Sequence, residues 1–138
     1  MSYTFNIPAS PSFASAGLKG YHFEPLKNPE LDVHYLDVIK GHDVFQISKK
    51  LYRTYYILEG NGYFIIDNHK YDVVPGMLVE IPPDVEYTYS GTMKILLISN
   101  PHWFKGNEEI TKNNPDVMGR LSVKSFISKI KSLKPKGE

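Results

Sequence analysis

Turn signals recur along this chain about every ten residues, and the stretches between them are too short for long helices. They are Lys40-Gly41, Glu59-Gly60-Asn61-Gly62, Asp67-Asn68-His69, Pro75-Gly76, Pro82-Pro83-Asp84 and Ser90-Gly91. The runs around them, LDVHYLDVI, HDVFQIS, TYYIL, YFIID, YDVV, MLVEI, VEYTY and MKILLIS, are rich in β-branched and aromatic residues. Such runs read as strands. Eight short strands at this spacing predict an all-β sandwich or closed barrel. Ten tyrosines and ten prolines point the same way, toward pleated sheets and their edges.

The flanks differ in texture. Residues 1–30 carry Pro8, Pro11, Pro25 and Pro29 among small polar residues, which predicts an extended arm with little regular structure. The barrel is expected over 31–104. Beyond it, in 105–138, the sheet signal stops; Val123, Phe126, Ile127, Ile130 and Leu133 recur at helical spacing behind Ser122, predicting one C-terminal helix packed on the barrel. Lys124, Lys129, Lys131 and Lys134 form its solvated face.

At 138 residues the chain suits one domain that buries roughly two thirds of its unfolded surface. It has no cysteine, which removes disulfides, thiolate ligands and a cysteine nucleophile from the account. A net charge of +1 favours neither nucleic acid nor an acidic membrane. The start MSYTFNIPASPSF lacks a basic segment followed by an apolar run, and nowhere do about 18 apolar residues follow one another. A cytoplasmic protein is expected.

The stretch GNGYFIID followed by YDVVPGMLVEIPPDVEYTYSG resembles the cupin superfamily of jelly-roll (double-stranded β-helix) barrels, over roughly Leu31 to Trp103. The first cupin motif runs Gly, five residues, His-x-His, three or four residues, Glu, six residues, Gly. The same frame here holds Gly41, Ile47, Lys49, Arg53 and Gly60. The second runs Gly, five residues, Pro-x-Gly, two residues, His, three residues, Asn, and here holds Gly76, Pro82, Asp84, Tyr87 and Gly91. All four positions that carry metal ligands in a typical cupin are therefore replaced, by Ile47, Lys49, Arg53 and Tyr87. Charged Lys and Arg offer only donors. The five histidines show no paired metal-ligand spacing. No metal and no cofactor is expected.

If the motif positions face inward, alternation places Ile47, Lys49, Arg53, Tyr55, Ile57, Tyr87 and Tyr89 in the barrel. Two cations about 6 Å apart repel by roughly 3 kcal/mol at an effective dielectric near 20. A ring-bearing anion would offset that, held by Lys49 and Arg53 and stacked on tyrosine. The competing reading pairs both cations with Glu59, Glu80, Glu86 or Asp37. Trp103, directly after the last strand, is placed either across the mouth or against the C-terminal helix.

Gly41-His42, Thr54-Tyr55-Tyr56 and Tyr87-Thr88-Tyr89 look like the small metal-free cupin dehydratases of uridyl-peptide antibiotic biosynthesis. That resemblance implies His and Tyr acid-base chemistry, with proton abstraction and water loss on a nucleoside aldehyde. His42, Tyr55 and Tyr89 are the candidate catalytic residues; Lys49, Arg53, Tyr87, Ile47, Ile57 and Trp103 are the candidate binding residues. Alternation from Ile47 turns His42 outward unless a bulge intervenes over Asp43 to Gln46, and without one His34 is the better base. Three alternatives stay open: a sugar-nucleotide epimerase or isomerase, a non-catalytic binding or sensor barrel, and a metalloenzyme with displaced ligands. A homodimer is expected, paired through edge strands or the N-terminal arm.

Overall fold

The computed structural model describes residues 3–117. Among them are nine strands: β1 (Phe13–Ala14), β2 (Leu18–His22), β3 (Asp32–Val38), β4 (Val44–Ser48), β5 (Tyr52–Ile66), β6 (His69–Val73), β7 (Leu78–Ile81), β8 (Glu86–Asn100) and β9 (Glu108–Asn113). All pairings are antiparallel.

The architecture rests on β5 and β8. They pair from Tyr52 opposite Asn100 to Ile66 opposite Tyr87, and each passes from one sheet to the other halfway along. Their first-sheet halves extend to β3, β2 and β1 on one side and β7 on the other. Their second-sheet halves extend to β4 and β9 on one side and β6 on the other. Closing two sheets through shared bent strands produces the jelly-roll barrel.

The turn signals at Glu59–Gly62 and Ser90–Gly91 therefore mark corners, not reversals. TYYIL and YFIID are one strand, as are VEYTY and MKILLIS. Gly60 (φ 81°) and Gly91 (φ 139°) adopt conformations that side-chain-bearing residues avoid, and β5 shifts register between Ile57 and Glu59. The chains also meet closely there: a Cβ on Gly60 would lie 2.0 Å from the Thr92 carbonyl oxygen, and one on Gly91 2.5 Å from that of Asn61. The shift moves the buried positions of β5 from Arg53, Tyr55 and Ile57 to Phe64.

Two further segments carry more sheet than expected. The arm contributes β1 and β2, and β9 lies beyond the predicted end of the barrel. Neither has a strong alternating pattern; pairing to β3 and β4 orders them. After β9, Asn114 is buried, and its amide donates to the His42 carbonyl (3.0 Å) and to Ser90 Oγ (3.0 Å), tying the chain to the barrel. A short helical turn spans 115–117, and the expected C-terminal helix lies outside the described residues.

Cross-strand partners on the inner face of the first sheet form rows. Met93, Val38 and Leu18 make the deepest, followed by Ile57, Ile95 and Leu36. These side chains are buried with Phe64 and Val73 from the other sheet. Each large one stabilises the fold by about 1.5–3 kcal/mol. The next two rows, Tyr55-Leu97-His34-His22 and Arg53-Ser99-Asp32, turn polar. Apolar rows fill one end of the barrel; polar rows leave the other open.

Candidate active site in the barrel mouth

Above the polar rows lies a cavity of about 740 Å³, lined by residues of both sheets and of the loop before β9. That volume is within the roughly 300–1,000 Å³ usual for small-molecule sites. His34, His42, Arg53, Tyr55, Tyr89 and Trp103 all line it.

His42 faces the cavity without a bulge in β4. Val44 and Gln46 line it too, so the even-numbered side chains point inward. The register shift lies in β9, where Phe45 pairs with Lys112 and Gln46 with Ile110. The frame set by the motif spacing was one residue out of phase: Ile47 does not line the cavity, and the Lys49 side chain is exposed on the outside. Alternation is strict within a strand, but which parity faces inward is decided by the sheet it joins.

His42 Nδ1 lies 2.9 Å from the Val44 carbonyl oxygen. A carbonyl only accepts, so Nδ1 carries the proton and Nε2 keeps its lone pair. Burial, opposed by the Val44 bond and by Asp43, pushes the imidazole pKa below its usual 6.5. The result is a neutral ring with a free basic nitrogen. The Tyr89 ring meets it edge-on, centroids 5.6 Å apart.

Tyr55 and Tyr87 share a hydroxyl hydrogen bond of 2.8 Å, and Gln46 Nε2 donates to Tyr87 Oη at 2.9 Å. Tyr87 is fully buried, so its own proton has only the Tyr55 oxygen to go to. The Tyr55 proton is then left to point into the cavity. Burial first, then Tyr87, raises the pKa of Tyr55 and of Tyr89, keeping both as phenols. Tyr87 positions Tyr55 and does not line the cavity; Ile57 is core beneath it.

Arg53 donates to Ser99 Oγ at 3.1 Å and pairs with Glu108, none of the carboxylates anticipated for it. Burial works against its charge, yet the oxygens of Tyr87, Tyr55 and Glu108 outweigh burial and raise its pKa. Glu108 also accepts from Asn107 Nδ2 (2.9 Å) and from the indole Nε1 of Trp103 (2.9 Å to Oε1). Asp32 is a second buried hub: its Oδ1 lies 2.9 Å from His22 Nε2 and 3.1 Å from His102 Nε2, and Oδ2 accepts from the Trp103 backbone N–H. Trp103 is thus pinned at the mouth by two carboxylates.

The cavity is not basic. Among the described residues Arg53 is the one Lys or Arg lining it, against the carboxylates of Asp32, Asp43 and Glu108. Sequence reasoning missed Gln46, Asp32 and Glu108. An even-numbered inward frame would have exposed Gln46, but Glu108 sits in a segment with no strand signal. Among the described residues no group of three His, Asp or Glu side chains is arranged to hold a metal ion.

No family model matches the sequence, and no curated protein matches it. Solved structures do. Pac13, described as a nucleoside dehydratase, matches with a TM-score of 0.74 at 21% identity, over 82% of this chain and 93% of that one. Streptomyces Pac13 with a histidine replaced, and with either of two tyrosines replaced, each solved with uridine, matches at 0.74, 0.75 and 0.74 with 20% identity. An RmlC-like cupin from Shewanella frigidimarina matches at 0.59 with 21% identity, over 73% of this chain and 93% of that one. KdgF from Halomonas sp. matches at 0.62 with 11% identity, over 74% and 96%. The chain has the cupin-type β-barrel fold.

Proposed function

We propose that this barrel is a lyase that removes water from an uncharged nucleoside-like substrate bearing a carbonyl group, by side-chain acid-base chemistry. The observation that carries the reading is the meeting, in one cavity, of a neutral His42 with a free Nε2 and of two tyrosines held as phenols. A base near neutrality and a proton donor across a cavity are what elimination needs. The likeness to a nucleoside dehydratase, studied with uridine in forms lacking a histidine or a tyrosine, supports the same reading.

In a nucleoside 5′-aldehyde the carbonyl acidifies the C4′–H bond. His42 Nε2 takes that proton, the electron pair forms the C3′=C4′ bond, and the C3′–O bond breaks. Tyr55 protonates the departing hydroxyl, which leaves as water, while Tyr89 donates to the carbonyl oxygen as charge develops on it. The ligand is read as uncharged because Arg53 is already paired with Glu108, Lys49 is outside, and three carboxylates line the walls. A phosphate there would meet net repulsion. The anionic or nucleotide-like ligand expected from the sequence rested on two free inward cations.

The test is uridine 5′-aldehyde in deuterated buffer, followed by proton NMR. Loss of the C4′ proton signal with appearance of the unsaturated sugar is expected for the wild type and, for His42→Gln, a rate lower by about 10²–10⁴. Binding of the aldehyde with no turnover would instead mark a non-catalytic binding barrel.

A further inference from the structure

Nearly every polar group lining the cavity is already partnered within the protein. Asp32 accepts from three donors, Glu108 from three, and Ser99 from Arg53. Apart from the Asp43 carboxylate and Gln46 Oε1, unused capacity is left in two places among the described residues. One is the group of His42, Tyr55 and Tyr89. The other lies on the first sheet, at His34 and Arg53. Among the described residues neither ring nitrogen of His34 has a hydrogen-bond partner, and its Nδ1 is buried, as is Arg53 Nε, which also lacks one. Both enclosed atoms are closed to the cavity, so Nε2 is the His34 nitrogen left to face it.

We infer that His34 is the specificity-determining residue of the site: its Nε2 accepts a hydrogen bond from the N–H on the polar edge of the ligand's ring, a lactam or imide edge. The inference rests on the nucleoside-like ligand proposed above and identifies which part of the wall reads its base. His34 is held in place on the inner face of β3. Its ring stacks on that of His22 at 4.6 Å and 21°, and the Phe13 ring meets it edge-on at 5.7 Å. Phe13 reaches in because Gly20 has no side chain; a Cβ there would lie 2.2 Å from the Phe13 ring.

A fixed imidazole that stays neutral presents one donor and one acceptor. The two nitrogens point away from each other and Nδ1 is enclosed, so the contact is made by Nε2, which as an acceptor takes the N–H of such an edge, as in uracil. Among the described residues no hydrogen bond chooses the His34 tautomer, so an N–H on the ligand selects the form with its proton on Nδ1. A ring with no N–H on this edge leaves the His34 nitrogen unpaired in a buried site, which is where analogue rejection is strongest.

Calorimetric titration of uridine and 3-methyluridine into wild type and His34→Phe tests this. Phenylalanine keeps the ring packing and removes both nitrogens. Wild type is expected to bind uridine about tenfold or more tighter than 3-methyluridine, and His34→Phe to lose that preference by binding uridine more weakly. The wild-type comparison needs no variant, so misfolding of His34→Phe does not rescue the idea. Equal binding of the two nucleosides by wild type, or uridine affinity unchanged in a folded His34→Phe, overturns the role of His34 and leaves the nucleoside reading intact. If wild type binds neither nucleoside, the proposed function falls and this inference with it.

Discussion

His34 and His42 line the same cavity, and burial above all holds both below the usual imidazole pKa. The difference between them is their partners. His42 has one nitrogen committed to the Val44 carbonyl, so its protonation site is set; among the described residues His34 has no such partner. For His34 the pKa falls to about 4 from 6.5. A depressed histidine pKa means that the unfolded chain binds more protons between those values, so stability is full above pH 6.5 and is lost as pH falls. From pH 7 to pH 4.5 this one residue should remove about 2.5 kcal/mol, taking 1.36 kcal/mol per pH unit. Urea denaturation of wild type and His34→Phe at both pH values checks it: the variant should lose less by that amount, and identical pH dependence would contradict the burial of His34. His42 was found by sequence reasoning through its place after Gly41, although the alternation argument pointed it outward. A single residue's type is legible; its orientation depends on strand parity.

Among elements, β5 and β8 show how a local signal can be detected and still be misassigned. Glu59-Gly60-Asn61-Gly62 and Ser90-Gly91 have turn chemistry, and a hairpin is its commonest use. The structure uses those glycines to bend two paired strands at the same level, with Gly62 opposite Gly91 and Gly60 opposite Met93. Glycine permits both outcomes, and which one occurs depends on what lies across the strand. Gly60→Ala would place a methyl 2.0 Å from the Thr92 carbonyl oxygen on a backbone with φ of 81°. A loss of about 2–4 kcal/mol is expected, read as a lowered urea midpoint. Gly76→Ala is the control: φ is also positive at 93°, but nothing lies within 4 Å of the new Cβ, so its cost should be about 1 kcal/mol. Equal costs at the two sites would mean that the corner is not tightly packed. β9 was illegible because EEITKN has little alternation, and β4 supplies its order through pairing.

At the scale of the whole molecule, the barrel mouth is closed by charge pairs brought together from distant parts of the chain. Arg53 on β5 and Glu108 on β9 meet there, and Glu108 holds the indole of Trp103, the single tryptophan of the chain. Glu108→Ala leaves Arg53 buried without its counter-charge. Breaking a fully buried pair costs about 3–5 kcal/mol; Glu108 keeps 21% of its side-chain surface, so about 2–3 kcal/mol is expected. Trp103 emission should shift to the red as the indole loses its partner, and an unchanged midpoint and spectrum would show that Arg53 finds water instead. The cupin-type barrel itself was readable from the chain alone, because strand propensity, turn spacing and the two motif frames are local properties that each residue carries with it. So was the candidate acid-base set of His42, Tyr55 and Tyr89. The character of the cavity was decided only by the tertiary structure. Lys49 was turned out by strand parity, Arg53 was neutralised by a glutamate 55 residues away, and Asp32 was buried as a hub for His22, His102 and Trp103. Charge in a site is a sum over whatever the fold brings within a few ångströms, and that sum has no signature along the chain.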